Sequence, residues 1–229
     1  MGDAAANAIE CARCGERLGV AAGLAALDVT CPRCSSHWTE LPYRTVDFTQ
    51  GTPEWHVWRS RGLGCSDAPA IMGENPWKSR EHVLKEKLGG TRKLEPNAAM
   101  RRGNALEPEA RSAYERLTGV RVRPQCLEST RFHWLRASVD GLALDGESVM
   151  EIKCGEAVYR HAASEGRVPK HYMGQLQHIL AVTGLARIDF WCYLPARAEV
   201  HLRIDRDDRY IDRLIETEAK FWQELEKRR

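Results

Sequence analysis

The apolar residues change their spacing near residue 120, and this change limits the folds that the chain can adopt. Before it, as from Leu106 to Leu117, they recur every three or four residues, which is typical of an amphipathic helix. After it, strand-like and helical segments alternate. In chain order we predict strands at Val120–Leu127, Trp134–Val139 and Val149–Cys154, a helix at Pro169–Val182, strands at Ile188–Leu194 and Val200–Ile204, and a helix at Asp207–Lys227. This order indicates an α/β fold in which helices flank a mixed β-sheet.

Shorter elements precede the sheet region. Proline suits the first turn of a helix, serine and aspartate cap helix N-termini, and glycine lets the backbone leave a helix. On these signals we predict a helix at Pro53–Arg59, a helix that is capped by Ser66 and Asp67 and ends at Gly73, a turn at Asn75-Pro76-Trp77, and a helix from Ser79 to Leu88.

Four of the eight cysteines form two Cys-x-x-Cys pairs that are separated by sixteen residues, Cys11 with Cys14 and Cys31 with Cys34. This spacing is typical of a zinc ribbon, in which four thiolates bind one Zn²⁺ tetrahedrally. The residues from Leu18 to Val29 would form the strands of the ribbon, and a unit of this size needs its metal to fold. The alternatives are an iron-sulfur cluster on the four cysteines and a redox-active dithiol.

The polar stretch that follows the second cysteine pair has the composition of a linker. We therefore divide the chain into a zinc-ribbon module with its linker, residues 1–45, and a second domain, residues 46–229. The formal net charge of +2 neither indicates nor excludes a nucleic-acid partner. Because the sequence has neither a long apolar run nor the basic start of a signal peptide, we expect no membrane partner and a cytoplasmic location.

Three charged residues of the sheet region form a pattern that suits metal-dependent chemistry. Asp140 directly follows one predicted strand, and Glu151 and Lys153 lie on the next. Since side chains at positions i and i+2 of a strand share a face, Glu151 and Lys153 would project together while Ile152 packs on the other face. Mg²⁺ or Mn²⁺ prefers carboxylate ligands, and the lysine could orient water or stabilise phosphoryl charge. The same residues would also fit an Asp-Gly turn beside a solvated charge pair.

Glu107 is a third acidic candidate. It stands at the predicted start of the helix that includes Leu106–Leu117, directly before Pro108. Taken alone it is a plain capping residue, because a carboxylate interacts favourably with the positive end of the helix dipole.

These motifs, in this order, resemble the phage-type recombination exonucleases, the YqaJ-like viral recombinase and lambda exonuclease family of the PD-(D/E)xK nuclease superfamily. The resemblance extends from about Trp55 to Trp222 and leaves the zinc ribbon unexplained. Val139 replaces a proline that is common in the superfamily. The matching segments are Trp55 with Arg59, Gly62-Leu63-Gly64-Cys65-Ser66-Asp67-Ala68, Asn75-Pro76-Trp77, Gly103 with Leu106-Glu107-Pro108-Glu109-Ala110-Arg111, Ala137-Ser138-Val139-Asp140-Gly141, Glu151-Ile152-Lys153-Cys154, and Tyr172–Val182.

The resemblance implies a metal-dependent deoxyribonuclease that digests double-stranded DNA ends from 5′ to 3′ and leaves single-stranded tails for recombination. It also implies Mg²⁺ or Mn²⁺ as the catalytic cofactor, a ring-shaped homotrimer, and a single-strand annealing protein as partner. A phage or prophage gene that acts in a bacterial host agrees with this interpretation.

The resemblance also assigns roles by position. Asp140 and Glu151 are similar to the family's metal ligands, which include the backbone carbonyl of Ile152. Lys153 is similar to the catalytic lysine, and Glu107 to an additional acidic residue of the site.

Three further positions are similar to residues that hold the nucleophile or the substrate. Gln175 corresponds to a polar group beside the metal ligands, and Arg59 and Ser66 to the residues that bind the terminal 5′-phosphate. Arginine offers phosphate two parallel hydrogen bonds, and free N–H groups at a helix start attract anions. By residue type alone, Arg59 would be a surface residue and Ser66 a plain N-cap.

Two rival hypotheses stay open at this stage. The first is an iron-sulfur or structure-specific nuclease of the RecB-like or CRISPR-adaptation type, which metal analysis and a visible spectrum would distinguish. The second is a non-catalytic zinc-ribbon adaptor that binds DNA or protein. The intact Asp, Glu and Lys triplet argues against the adaptor.

Overall fold

The fold is taken from a computed structural model, which describes residues 8–11, 13–19, 27–89 and 98–229. Its N-terminal part contains two antiparallel hairpins, one next to each cysteine pair. The first pairs β1 (Ala8–Glu10) with β2 (Arg17–Gly19), and the second pairs β3 (Leu27–Thr30) with β4 (His37–Glu40). Residues 20–26, part of the stretch predicted to form the ribbon strands, lie outside the described residues.

A seven-stranded mixed sheet follows the two hairpins in the chain. Its strands are β5 (Tyr43–Val46), β6 (Leu63–Gly64), β7 (Val122–Ser129), β8 (Leu135–Ala143), β9 (Val149–Lys153), β10 (Arg187–Cys192) and β11 (Val200–Asp205). The order across the sheet is β11-β10-β9-β8-β7-β5, and β6 pairs with β8 beside this path. The β9–β10 and β6–β8 pairs are parallel and the others are antiparallel, so the predicted mixed sheet is confirmed.

Helices cover both faces of this sheet. On one face α6 contacts β7, β8 and β10 and packs against α2 and α7, and on the other face α4 contacts β8 and β9. The helices are α1 (Pro53–Ser60), α2 (Ala68–Ile71), α3 (Arg80–Lys87), α4 (Ala98–Thr118), α5 (Glu156–Glu165), α6 (Met173–Thr183) and α7 (Asp208–Arg228).

Apolar side chains separate into a core on each face of the sheet. The larger core includes Leu135, Leu176 and Phe221, and the smaller one includes Tyr114 and Trp191. Burying these apolar surfaces supplies most of the favourable free energy of folding. It also holds β8, β9 and α6, the elements that carry the candidate site, in fixed relative positions.

The start of α4 corrects one prediction. We expected a helix that begins beside Glu107 and Pro108, but α4 begins at Ala98 and continues through the proline. A proline inside a helix removes one backbone hydrogen bond and is costly. The buried face of α4, which includes Ala110 and Tyr114, packs in the smaller core, and this tertiary contact offsets the local cost.

Three further differences concern the domain boundary, a helix that was not predicted and a helix cap. The predicted domain boundary at residue 45 falls inside β5, which is hydrogen-bonded to β7 and therefore belongs to the sheet. Helix α5 was not predicted at all. Asp67 occupies the N-cap position of α2 but its carboxylate makes no capping hydrogen bond there, contrary to expectation.

Among the described residues, the helices include no segment that combines the length and the apolar character needed to span a bilayer.

Candidate active site

Strands β8 and β9 separate at one end, and the candidate site lies where they separate. Their antiparallel pairing is confined to Gly141 with Met150 and Leu142 with Val149. Beyond this point the N–H of Ile152 donates to Asp140 Oδ2 at 2.8 Å. A side-chain oxygen thus takes the place of the backbone carbonyl that would accept this bond in a continuous sheet. The gap between the two strands is therefore lined by polar groups.

Glu151 and Lys153 share a face of β9, as predicted, and α6 covers them. The Lys153 ammonium contacts Glu151 Oε1, and the Gln175 side-chain amide donates to the same oxygen at 2.5 Å. Ile152 packs into the opposite core. The Lys153 Nζ also lies 5.0 Å from the centroid of the Tyr172 ring, which supplies a second favourable contact for the cation.

The pKa values of the acidic groups in this cluster are all raised. Burial, and then repulsion from Asp140, raises the pKa of Glu151 to about 7. Burial likewise raises the pKa of Asp140 above its usual range, even though Lys153 acts against this shift. For Lys153, burial favours the neutral form, but the carboxylates of Glu151 and Asp140 more than offset it and raise the pKa. The lysine is therefore a charged donor at neutral pH.

Glu107 lies in the middle of α4, so the capping explanation does not apply to it. Burial and the negative charge of Asp140 raise its pKa to about 7, while Arg111 and Lys153 act in the opposite direction. Arg111 also donates to the Asp140 carbonyl at 2.9 Å and so ties α4 to β8. Glu107 is thus close enough to interact electrostatically with the cluster, although its position could not be inferred from local spacing.

The donor set fits a hard divalent cation. Glu151 Oε2 is buried and has no hydrogen-bond partner among the described residues, which is costly for a carboxylate unless a cation compensates it. Asp140 is adjacent, and oxygen donors are the ligands that Mg²⁺ and Mn²⁺ prefer. Burial raises the pKa of both acids because it disfavours their charged forms, and a bound cation would offset that cost.

The same cleft contains the two residues predicted to bind a 5′-phosphate. Arg59 and Ser66 are in contact through the guanidinium and the hydroxyl. The cleft, with a volume of about 160 Å³, is lined by these two residues together with Asp140, Glu151 and Gln175. One continuous surface therefore joins the predicted phosphate-binding pair to the predicted metal ligands.

Glycines allow the backbone between Arg59 and Ser66 to approach its neighbours closely. A Cβ on Gly62 would lie only 2.7 Å from the carbonyl oxygen of Trp134, which is closer than real Cβ contacts allow. A Cβ on Gly64 would lie 3.3 Å from Arg59 Nε. Gly62 is thus required by the close approach of two backbones, whereas a Cβ at Gly64 would only press on the Arg59 side chain.

Several contacts in the cleft could not be inferred from the sequence. The Trp55 indole N–H donates to Ser138 Oγ at 2.8 Å, and the Trp55 ring lies under the Arg59 guanidinium at 5.1 Å from the centroid. Gln50 donates to the Val139 carbonyl at 3.0 Å. Trp55 is thus buried and at the same time supports Arg59 in the cleft.

The N-terminal cysteines form a second cluster. One ligand atom from each of Cys11, Cys14, Cys31 and Cys34 lies within 4.8 Å of the others, an arrangement that could hold a metal ion. The closest sulfur pairs are 3.6 Å apart, too far for disulfide bonds. After each Cys-x-x-Cys the chain turns through a left-handed residue, Gly15 with φ 74° and Ser35 with φ 55°.

Ser36 is a neighbour of this cluster that the sequence did not reveal. Its hydroxyl lies 3.2 Å from Cys11 Sγ and 3.1 Å from Cys34 Sγ. Hydrogen bonding to Ser36 lowers the pKa of both thiols, for Cys11 to about 6. Metals bind thiolates and not thiols, so this hydroxyl favours the metal-binding form.

Comparison with known proteins identifies the family. Residues 54–186, more than half of the chain, match the model of the YqaJ-like viral recombinase domain. The chain belongs to this family. The matched residues extend from α1 to α6 and include β6, β7, β8 and β9. The two N-terminal hairpins, β5, β10, β11 and α7 lie outside them.

A curated member of related sequence is YqaJ of Bacillus subtilis strain 168, an uncharacterized protein. The two chains are 29% identical over 174 residues, which is 74% of this chain and 54% of the relative. The chain thus spans about half the length of that relative.

Solved structures support the YqaJ-like fold. The chain is similar to LHK-Exo, an alkaline exonuclease from Laribacter hongkongensis that has also been solved with dAMP, with a TM-score of 0.68 and 29% identity over 77% of this chain and 94% of that one. A phage-related exonuclease from Haemophilus somnus 129PT shares the fold, with a TM-score of 0.52 and 17% identity over 73% of this chain and 96% of that one. The predicted family and fold class are confirmed.

Proposed function

We propose that this YqaJ-like protein is a metal-dependent exonuclease that hydrolyses DNA from the 5′ ends of duplexes. One observation carries the proposal: the buried cluster of Glu151, Lys153 and Gln175 opens, beside Asp140, into the cleft that contains Arg59 and Ser66. The similarity to an alkaline exonuclease supports the reaction class.

In this proposal Asp140, Glu151 and the Ile152 carbonyl hold the divalent ion, Mg²⁺ or Mn²⁺, and Glu107 adds negative charge near them. When bound, the ion supplies Lewis acidity and lowers the pKa of a coordinated water. Lys153 stays protonated, so it stabilises negative charge on the scissile phosphoryl group and does not remove a proton.

Gln175 and the phosphate-binding pair position the substrate. Gln175 donates to Glu151 Oε1, which fixes the rotamer of that carboxylate and leaves its other oxygen for the cation. Arg59 and Ser66 would take the terminal 5′-phosphate through charge-assisted hydrogen bonds. The scissile bond would then lie one nucleotide further along the same cleft, beside Asp140 and Glu151.

The remaining proposals concern the whole protein. We propose a zinc ion on the four N-terminal cysteines, and a domain boundary between β4 and β5 in place of residue 45, because β5 is part of the sheet. A recombination role, a homotrimer and a single-strand annealing partner rest on the family resemblance alone.

The decisive experiment uses linear duplexes labelled at either end, with and without a 5′-phosphate, in Mg²⁺, Mn²⁺ or chelator. We expect nucleotides to be released from the 5′ end only when a divalent cation is present. Asp140→Asn keeps an acceptor for the Ile152 N–H but removes charge, and should lower the rate by about 10²–10³. The matched control is Asp145→Asn in an exposed turn. Full activity of folded Asp140→Asn protein would refute the proposed site.

A further inference from the structure

Lys87, at the end of α3, is a buried lysine that the proposed chemistry does not use. Only 7% of its side chain is exposed. Its ammonium lies 2.8 Å from Asp67 Oδ2 and donates to the carbonyl oxygens of Gly62, at 2.7 Å, and Arg59, at 3.1 Å. These three acceptors satisfy its three N–H groups.

All three acceptors belong to one short stretch of chain, the 59–67 segment. This segment begins with Arg59 and ends with Ser66 and Asp67, so it carries both residues proposed to bind the 5′-phosphate. Lys87 therefore links the two ends of the segment from behind the cleft wall. The Gly64 N–H adds a further bond, to Asp67 Oδ2 at 3.0 Å.

Asp67 is a potential competitor for Arg59. Its side chain is 4% exposed, and Oδ1 lies 3.8 Å from the Arg59 guanidinium. Burial alone would raise the pKa of Asp67, but the charges of Lys87 and Arg59 hold it well below its usual range. The carboxylate is therefore ionised, and a buried ionised carboxylate needs a cationic partner.

We propose that Lys87 and Asp67 are positioning residues that set the selectivity of the cleft for 5′-phosphorylated DNA ends. Lys87 neutralises Asp67 and so leaves the Arg59 guanidinium free to bind the substrate phosphate. Without Lys87, Asp67 would draw Arg59 into an internal ion pair, since the two groups are already close. The inference rests on the proposed role of Arg59 and Ser66.

The rival explanation is that Lys87 only stabilises the fold. A purely structural role would lower activity on every DNA end alike, and it would not be relieved by removing the charge of Asp67. The ratio of rates on 5′-phosphate and 5′-hydroxyl ends separates the two explanations, because a loss of folded protein cancels in that ratio.

The test uses a DNA hairpin with one open end, carrying either a 5′-phosphate or a 5′-hydroxyl and a fluorophore in its loop. Initial rates are measured with Mg²⁺, and binding is measured by anisotropy in chelator, which does not depend on the catalytic ion. The variants are Lys87→Met, Lys87→Gln, and Asp67→Asn combined with Lys87→Met. Lys85→Met, an exposed lysine on the same helix, is the matched control.

We expect Lys87→Met to lower both the rate ratio and the binding ratio by about tenfold, the effect of losing a hydrogen bond to a charged group. The double variant should recover most of the wild-type ratio, because the neutral amide introduced by Asp67→Asn no longer attracts Arg59. Lys85→Met should match wild type. If Lys87→Met does not fold, Lys87→Gln, which keeps an amide donor but no charge, carries the same expectation.

Three results would overturn the inference. A wild-type ratio in folded Lys87→Met or Lys87→Gln would show that Lys87 does not act on phosphate selectivity. A double variant no better than Lys87→Met would assign Lys87 a structural role. A wild-type protein that digests both ends equally would refute the phosphate-binding role of Arg59 and Ser66 and the inference with it, whereas a protein that digests neither would refute the nuclease function itself.

Discussion

Glu151 and Glu107 change their protonation state near neutral pH in the absence of metal, and this sets the pH range in which the site can bind a cation. Burial raises the pKa of each to about 7. A metal binds the carboxylate and not the carboxylic acid, so it must displace protons below that pH. Above it, the acids are already ionised and no proton needs to leave.

We therefore expect the affinity for Mg²⁺ or Mn²⁺ to rise with pH up to about 7, by about tenfold per unit for each proton displaced, and then to level off. Calorimetry in two buffers of different ionisation enthalpy measures the protons released. Glu107→Gln should reduce the number released under acidic conditions. A pH-independent affinity would contradict the assignment of these acids to the metal.

His178 is a buried ionisable residue whose contacts affect the stability of the fold. Its Nδ1 lies 2.8 Å from Glu218 Oε1 and its Nε2 lies 2.8 Å from the Arg136 carbonyl. Since both nitrogens face acceptors, both must carry a proton. Burial acts to lower the pKa of His178, but Glu218 and the Arg136 carbonyl outweigh it and raise the pKa above its usual value. The imidazolium thus joins α6 to α7 and to β8.

A histidine whose pKa is higher in the folded than in the unfolded protein stabilises the fold. This stabilisation is complete below the pKa of the unfolded state, about 6.5, and is lost as the pH rises through the pKa of the folded state. Glu218→Gln removes the buried charge partner and should cost about 3 kcal/mol of unfolding free energy in mildly acidic buffer. The difference from wild type should shrink as pH rises. Denaturant unfolding across this range measures it, and a difference that grows with pH would contradict the imidazolium assignment.

The control for this prediction is a surface pair of the same chemistry. His133 lies 3.8 Å from Glu226, and their side chains are 75% and 51% exposed. Exposed pairs contribute little because water screens them. Glu226→Gln should therefore leave stability nearly unchanged at every pH.

Among the secondary-structure elements, one glycine is required by close backbone packing and another is not. Gly62 lies between α1 and β6, where a Cβ would meet the Trp134 carbonyl and the Arg136 side chain. Gly103 lies inside α4, where a Cβ would meet nothing within 4 Å. The first glycine is needed for the close approach of two backbones, whereas the second only weakens a helix.

We expect Gly62→Ala to destabilise the domain by more than about 1 kcal/mol, because backbone atoms cannot move aside cheaply. Gly103→Ala should instead stabilise it by about 0.5–1 kcal/mol, since alanine favours the helix. Denaturant midpoints of the two variants provide the measurement and serve as controls for each other. Equal effects of the same sign would contradict the packing at Gly62.

For the whole molecule, the two-hairpin unit and the sheet domain depend on different sources of stability. The sheet domain has an apolar core on each face. The N-terminal hairpins are too short to bury a comparable surface, so a metal on their four cysteines would have to supply the missing free energy.

We expect about one zinc ion per chain and no iron, as measured by elemental analysis and a visible spectrum. Cys14→Ser should remove the zinc while the unfolding transition of the sheet domain is retained. Cys126→Ser, at a buried cysteine of the sheet domain, is the control and should keep the metal. A brown, iron-containing protein would favour the iron-sulfur alternative.

What could be inferred from the sequence depended on local spacing. The i, i+2 alternation of a strand places Glu151 and Lys153 on one face, and the Cys-x-x-Cys spacing lets the two sulfurs of each pair share one metal ion, because short-range backbone geometry determines both. The strands from β7 to β11 and helices α6 and α7 likewise followed from periodicity, whereas β5, β6 and α5 did not. The motif order pointed to the family before any contact was known, and the family match confirms it.

Only the tertiary structure decided how these local features meet. The separation of β8 from β9 brings Asp140 to Ile152, and the packing of α6 brings Gln175 to Glu151. The same holds for α4, which continues past Pro108, and for β5, which joins the sheet beyond the predicted boundary. Lys87 gave no functional signal, because its contacts with the 59–67 segment join residues distant in the chain. Such contacts depend on the packing of whole elements, which local spacing does not encode.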